Sequence, residues 1–140
     1  MEESNVPFTL SFLDHVAIRV KDMEVSASWY EKVLGLKRHQ LPAWGDFPIF
    51  LLSGKTGIAL FPANADHPEL DLSSMNVKID HFAFQLNRED FQKAKSHYDA
   101  LGLFYLMRDH TYFHSMYTND PDGHQVELTT LVVPEEKVYT

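Results

Sequence analysis

Four residues stand out by type and placement: His15, His81, Tyr117 and Glu127. The two histidines open near-identical segments, DHVAIRV at 14–20 and DHFAFQL at 80–86. Glu127 sits between Val126 and Leu128 in HQVELTT, a run that otherwise reads as a strand beside a core. A carboxylate there is costly unless it is solvated, paired or bound to a metal ion. Tyr117 lies on the preceding run, across the turn Asp120-Pro121-Asp122-Gly123. A phenol so placed can donate a hydrogen bond to a developing anion. Each residue also has an ordinary reading: a hydrogen-bonded surface histidine, a solvated glutamate, a tyrosine ring packed on a sheet.

The elements that must position them follow from periodicity. Both DH segments alternate apolar and polar residues, the pattern of a strand with one buried face. Val16, Ile18 and Val20 point one way, as do Phe82, Phe84 and Leu86. His15, Ala17 and Arg19 point the other way, matched by His81, Ala83 and Gln85. Arg19 and Gln85 are therefore candidate substrate contacts. Each strand leads into a helical pattern that closes on Leu-Gly-Leu, with Asp22 and Asn87 as N-caps and Gly35 and Gly102 as left-handed C-terminal residues. Met23, Ala27, Tyr30 and Leu34 form one apolar stripe; Phe91, Ala94, Tyr98 and Leu101 form the other. Three extended runs follow each helix: LKRHQL, FPIFLLS and TGIALFPA, then LFYLMRD, FHSMYTN and HQVELTT. The expected fold is α+β, two tandem βαβββ modules at about 12–62 and 79–131, with a polar linker at 63–78 and a tail at 132–140.

Bulk properties narrow the classes. The 140 residues suit one domain, and 44% are apolar. Zero cysteines exclude disulfides, thiolate metal sites and a cysteine nucleophile. A net charge of −8 argues against nucleic acid and anionic membranes. MEESNVPFTL has no signal-peptide pattern and no run is apolar enough to span a bilayer, so a cytoplasmic protein is expected.

With His15, His81, DPDGHQVE and the internal repeat in place, the chain resembles the vicinal oxygen chelate superfamily, from about 12 to 130. That group contains glyoxalase I, bleomycin-resistance proteins, fosfomycin-resistance enzymes and extradiol dioxygenases. The resemblance implies curved, paired mixed sheets around one divalent metal ion. If the modules pair about a pseudo-twofold axis, the two imidazoles converge. Glu127 then faces the same cavity, because Val126 and Leu128 point to the helix side. His15, His81 and Glu127 are the expected ligands, a facial triad suited to Fe(II) and also to Mn(II), Zn(II) or Ni(II). Asp14 and Asp80, on the opposite parity, read as turn or cap residues.

The resemblance also sorts the chemistry. Aligning GIALFPA on QVELTT puts Ala59 where Glu127 stands, and alanine supplies no second carboxylate. That counts against a glyoxalase-type isomerase, which moves a proton. Ring-cleaving dioxygenases and fosfomycin-modifying transferases both carry a tyrosine at the position of Tyr117, against a substrate oxygen. A dioxygenase would also need an acid–base histidine; Arg108, not a histidine, lies nearest the place that the resemblance implies, and since His114 has opposite parity to Tyr117, His110 on the loop is the candidate. Trp44, Phe47, Phe50, Phe61, Tyr112 and Phe113 would wall an apolar pocket or serve as core. A thiol transferase of this resemblance needs basic groups for a phosphonate, and Glu135 and Glu136 suit that poorly. A drug-sequestering binder has no need of the triad. Extradiol-type dioxygenase chemistry on a small molecule that chelates through adjacent oxygens is the first expectation, in a homodimer whose sites lie within one chain or between two.

Overall fold

The computed structural model describes residues 5–139. Chain order is β1 (His15–Val20), α1 (Met23–Leu34), β2 (Lys37–His39), β3 (Ile49–Ser53), β4 (Thr56–Pro62), then β5 (Phe82–Gln85), α2 (Arg88–Leu101), β6 (Leu106–Asp109), β7 (Phe113–Asn119) and β8 (Gln125–Leu131). Short 3-10 turns cover Pro42–Trp44 and Glu135–Lys137. Two four-stranded mixed sheets result, ordered β1-β4-β3-β2 and β5-β8-β7-β6. In each, the first strand runs parallel to the last and the others pair antiparallel. This is the α+β architecture expected from the repeat. No helix among the described residues is long and apolar enough to cross a membrane.

Local chemistry sets the helix ends. Asp22 accepts from the Val25 amide and Asn87 from the Asp90 amide, each closing an orphan donor of the first turn. Gly35 and Gly102 close the helices at φ 68° and 66°, where a Cβ would be penalised. The apolar stripes bury as expected: Ala27, Tyr30, Phe91 and Tyr98 are all at or below 1% exposure.

The two halves share their interior. Val126 of β8 and the rings of Phe82 and Phe84 pack with Ile18, Val20, Tyr30 and Leu60. Val33 and Trp29 of α1 pack with Phe91, Tyr98 and Met116. A second link is polar. The β7–β8 turn docks on the β1–α1 junction, where Asp122 Oδ1 accepts from the Lys21 amide at 3.1 Å. Tyr30 Oη donates to Asp120 Oδ2 at 2.7 Å in the interior. Because the helix-facing sides of both sheets meet in this shared core, the opposite faces, with the histidines, look outward from it.

Candidate functional site

On the second sheet the ladder places Glu127 between Ala83 and Tyr117. Glu127 is only 7% exposed. Its Oε1 lies 2.9 Å from His81 Nε2. The Tyr117 ring stands edge-on to His81 with centroids 5.6 Å apart, and His110 Nε2 is 2.9 Å from Tyr117 Oη. Burial first, then the Glu127 carboxylate, hold the Tyr117 hydroxyl above its ordinary titration range, while Arg108 opposes them. Tyr117 thus remains a phenol, a donor, near neutral pH.

His110 is presented by the β6–β7 turn. Thr111 there has φ 71°, unusual for a β-branched residue, and its amide donates to Asp109 Oδ1 at 2.8 Å. A cavity of about 460 Å³ is lined by Ala83, Gln85, Tyr117, Glu127, Thr129 and Tyr139, with His110 and Phe113 at its side. Tyr139 belongs to the tail after the last strand. Gln85 Nε2 donates to its hydroxyl at 3.1 Å.

The first sheet repeats this layout with different side chains. Across the ladder, Ala17 pairs Ala59 and Ala59 pairs Phe50, where the second sheet has Ala83, Glu127 and Tyr117. Phe50 lies 5.0 Å from the His15 ring and 4.9 Å from Trp44, and Phe47 stands against Phe61. These four aromatic residues gather near or on the His15 face, whereas Phe113 lines the Glu127 cavity. Arg19 is exposed, and its guanidinium donates to the Pro62 carbonyl at 2.9 Å.

The structure brings together His81, Glu127, Tyr117 and His110, with Gln85 on the rim. It does not bring His15 to them within one chain. Among the described residues no group of three or more His, Asp or Glu could hold a metal ion. The expected group of His15, His81 and Glu127 is thus not gathered among the described residues of one chain. His124 is structural, its Nε2 lying 2.9 Å from the Arg19 carbonyl. His114 lies 3.8 Å from Asp109, off the Tyr117 face.

Asp14 and Asp80 depart from expectation. Asp14 Oδ2 lies 2.7 Å from His15 Nδ1, and Asp80 Oδ2 lies 2.8 Å from His81 Nδ1. The His81 contact first of all holds the Asp80 carboxyl below its usual range. Strand alternation had put these carboxylates on the far side. They escape it because each precedes its strand: β1 begins at His15 and β5 only at Phe82. The repeated Asp-His pair was the signal available in the sequence. Tyr139 was also missed, since nothing periodic marks a tail residue.

This donor chemistry fits a divalent ion. Imidazole Nε2 and carboxylate oxygen are ordinary ligands for such ions, and an imidazole whose Nδ1 meets a carboxylate is the usual supported form. A family model described as Glyoxalase/Bleomycin resistance protein/Dioxygenase superfamily matches residues 12–128. The chain is 26% identical to the glutathione transferase FosA of Serratia marcescens, over 85% of this chain and 80% of that protein. It is 28% identical to the metallothiol transferase FosB of Lysinibacillus sphaericus (94% and 90%) and 27% identical to Glyoxylase I 4 of Arabidopsis thaliana (91% and 75%). Among solved structures, a glyoxalase/dioxygenase from Nostoc punctiforme superposes with TM-score 0.75 at 20% identity, covering 96% of this chain and 99% of the other. The fosfomycin resistance protein FosX from Listeria monocytogenes superposes at 0.66 and 20% identity, covering 92% and 98%.

Proposed function

Because the chain belongs to the glyoxalase/bleomycin resistance protein/dioxygenase superfamily, we propose that it is a divalent-metal-dependent enzyme acting on a small molecule through that molecule's oxygen atoms. It works as a homodimer whose sites each take His15 from one copy and His81 and Glu127 from the other. The observation that carries this reading is the 2.9 Å approach of His81 to a nearly buried Glu127, with the third ligand on an outward face of the same chain. Exposed apolar residues flank both donor faces where the strands begin: Phe12 and Leu13 before β1, Val77 and Ile79 before β5. A second copy would cover such a patch.

A divalent ion, whether Fe(II), Mn(II), Zn(II) or Ni(II), would supply Lewis-acid polarisation of a substrate oxygen. The chain's residues do the rest. Tyr117 donates its proton toward the substrate oxygen, and His110, 2.9 Å away, restores it. Gln85 and Arg19 contact the substrate from the two faces. The relatives named thiol transferases move thiol addition ahead of ring cleavage. In that reaction the C–S bond forms as a C–O bond opens, the freed oxygen takes the Tyr117 proton, and the proton lost by the thiol returns through His110 to Tyr117. Ring-cleaving dioxygenation, with Fe(II), is the second reading. The His110–Tyr117 pair favours it by offering the acid–base group that reaction needs.

The deciding experiment mixes two defective chains. His15→Ala and Glu127→Ala, each alone, should lose the metal found in wild-type protein by elemental analysis. Co-refolded at equal ratio, half the dimers are mixed and each holds one intact site, so about a quarter of wild-type metal returns. No recovery overturns the shared site; wild-type protein without metal overturns the reading altogether. Thiol consumption with an epoxide, set beside oxygen uptake with catechols under Fe(II), then separates the two reactions.

A further inference from the structure

We infer that Asp14 and Asp80 are positioning residues that set the tautomer of the two ligand histidines, each holding a proton on Nδ1 so that Nε2 carries the lone pair for the metal. The inference rests on the metal reading above and deepens it. Its basis is a contact made twice. Two carboxylates at repeat-equivalent positions meet Nδ1 of the following histidine at 2.7 and 2.8 Å.

Two independent copies of one geometry are hard to ascribe to accident. The side chains of Asp14 and Asp80 are both 66% exposed, so neither is held in place by packing. What they share is the imidazole. The rings are fixed from the other side as well: His15 by Phe50 and His81 by Tyr117. A carboxylate acceptor raises the electron density of the ring and fixes its plane, and loss of such a partner commonly lowers metal affinity 10- to 100-fold. The two halves differ on one point. His81 Nε2 already meets Glu127, whereas the strand beside β1 offers Gly57, which has no side chain, opposite His15. His15 is thus the cleaner reporter.

The test uses the full chain and two readouts. Nitrogen-15 correlation spectra of metal-free protein should show His15 as the Nδ1–H tautomer in wild type. Asp14→Ala should move it toward Nε2–H, and Asp14→Asn, which keeps an acceptor, should largely restore it. Zn(II) affinity, measured by competition with a chromophoric chelator, should fall about 10- to 100-fold in Asp14→Ala and Asp80→Ala, with circular dichroism unchanged. An Nε2–H tautomer in wild type, or affinities within about twofold of wild type, overturns the inference. Should wild-type protein bind no Zn(II), the metal reading falls, and the tautomer measurement alone decides whether Asp14 positions His15.

Discussion

Removing the hydroxyl of Tyr30 should destabilise the protein through a group on the far side of the chain. Tyr30 is fully buried and donates at 2.7 Å to Asp120, itself 5% exposed. The other oxygen of Asp120 accepts from the Asp122 and His124 amides at 3.0 and 2.9 Å. Three donors thus converge on one buried carboxylate. A hydrogen bond to a charged group is worth about 1.5–3 kcal/mol, so Tyr30→Phe should cost about that much. Asp120→Ala strands all three donors and should cost about 3–5 kcal/mol. Asp120→Asn keeps an acceptor for both amides and turns an amide donor toward Tyr30 Oη, so it should stay within about 1 kcal/mol of wild type.

The pH dependence has a definite sign. Burial, the largest influence, raises the folded Asp120 above its ordinary range, against the Tyr30 hydroxyl. A raised folded value means that the stabilisation from protonating Asp120 is fully present below the unfolded value of about 3.9 and is lost as pH rises through the folded value. Asp120→Asn should therefore gain on wild type as pH rises through that window, and Tyr30→Phe should show its largest deficit at neutral pH. Urea unfolding followed by Trp29 fluorescence measures both, since that ring packs on both core clusters. If Asn costs as much as Ala, or Tyr30→Phe costs nothing, the carboxylate is not the hub described.

Three further outcomes are expected. Tyr139→Phe removes the acceptor of Gln85, so hydrogen exchange of residues 132–139 should quicken while the β8 amides stay protected. Thr111→Gly relieves a positive-φ backbone that costs of order 1 kcal/mol; thermal unfolding should show a gain of that size, offset in part by glycine's entropy. Gly57→Ala should destabilise by about 1–3 kcal/mol, because a Cβ there would fall 2.1 Å from the Leu51 carbonyl oxygen; equilibrium unfolding checks it.

Much of this was legible because local rules agree. Period-two alternation put Glu127 and Tyr117 on one face, and the ladder pairs them directly. Caps and glycines bounded both helices. Aligning the halves put Ala59 in register with Glu127, and the strand pairing gives the same match. What escaped depends on distance or on the ends of elements. Asp14 and Asp80 precede their strands, so alternation does not govern them. DPDG reads as a turn, yet Asp120 reaches Tyr30 across the interface between halves, which no local pattern encodes. Outward presentation of His15 follows from the shared core, a property of how the halves pack.

The unequal arming of the two halves bears on how such a molecule can change. Ala59 is fully buried against Ala17 and the Phe50 strand. A single change to glutamate there would install the missing carboxylate but overfill a packed position, at about 1–3 kcal/mol. Trimming Phe50 first would instead open a gap beside His15 and Trp44. Either step alone is penalised, and the trimmed ring leaves room for the longer side chain, so the route toward proton-moving chemistry runs through coupled substitutions, with a partner still needed for the buried carboxylate.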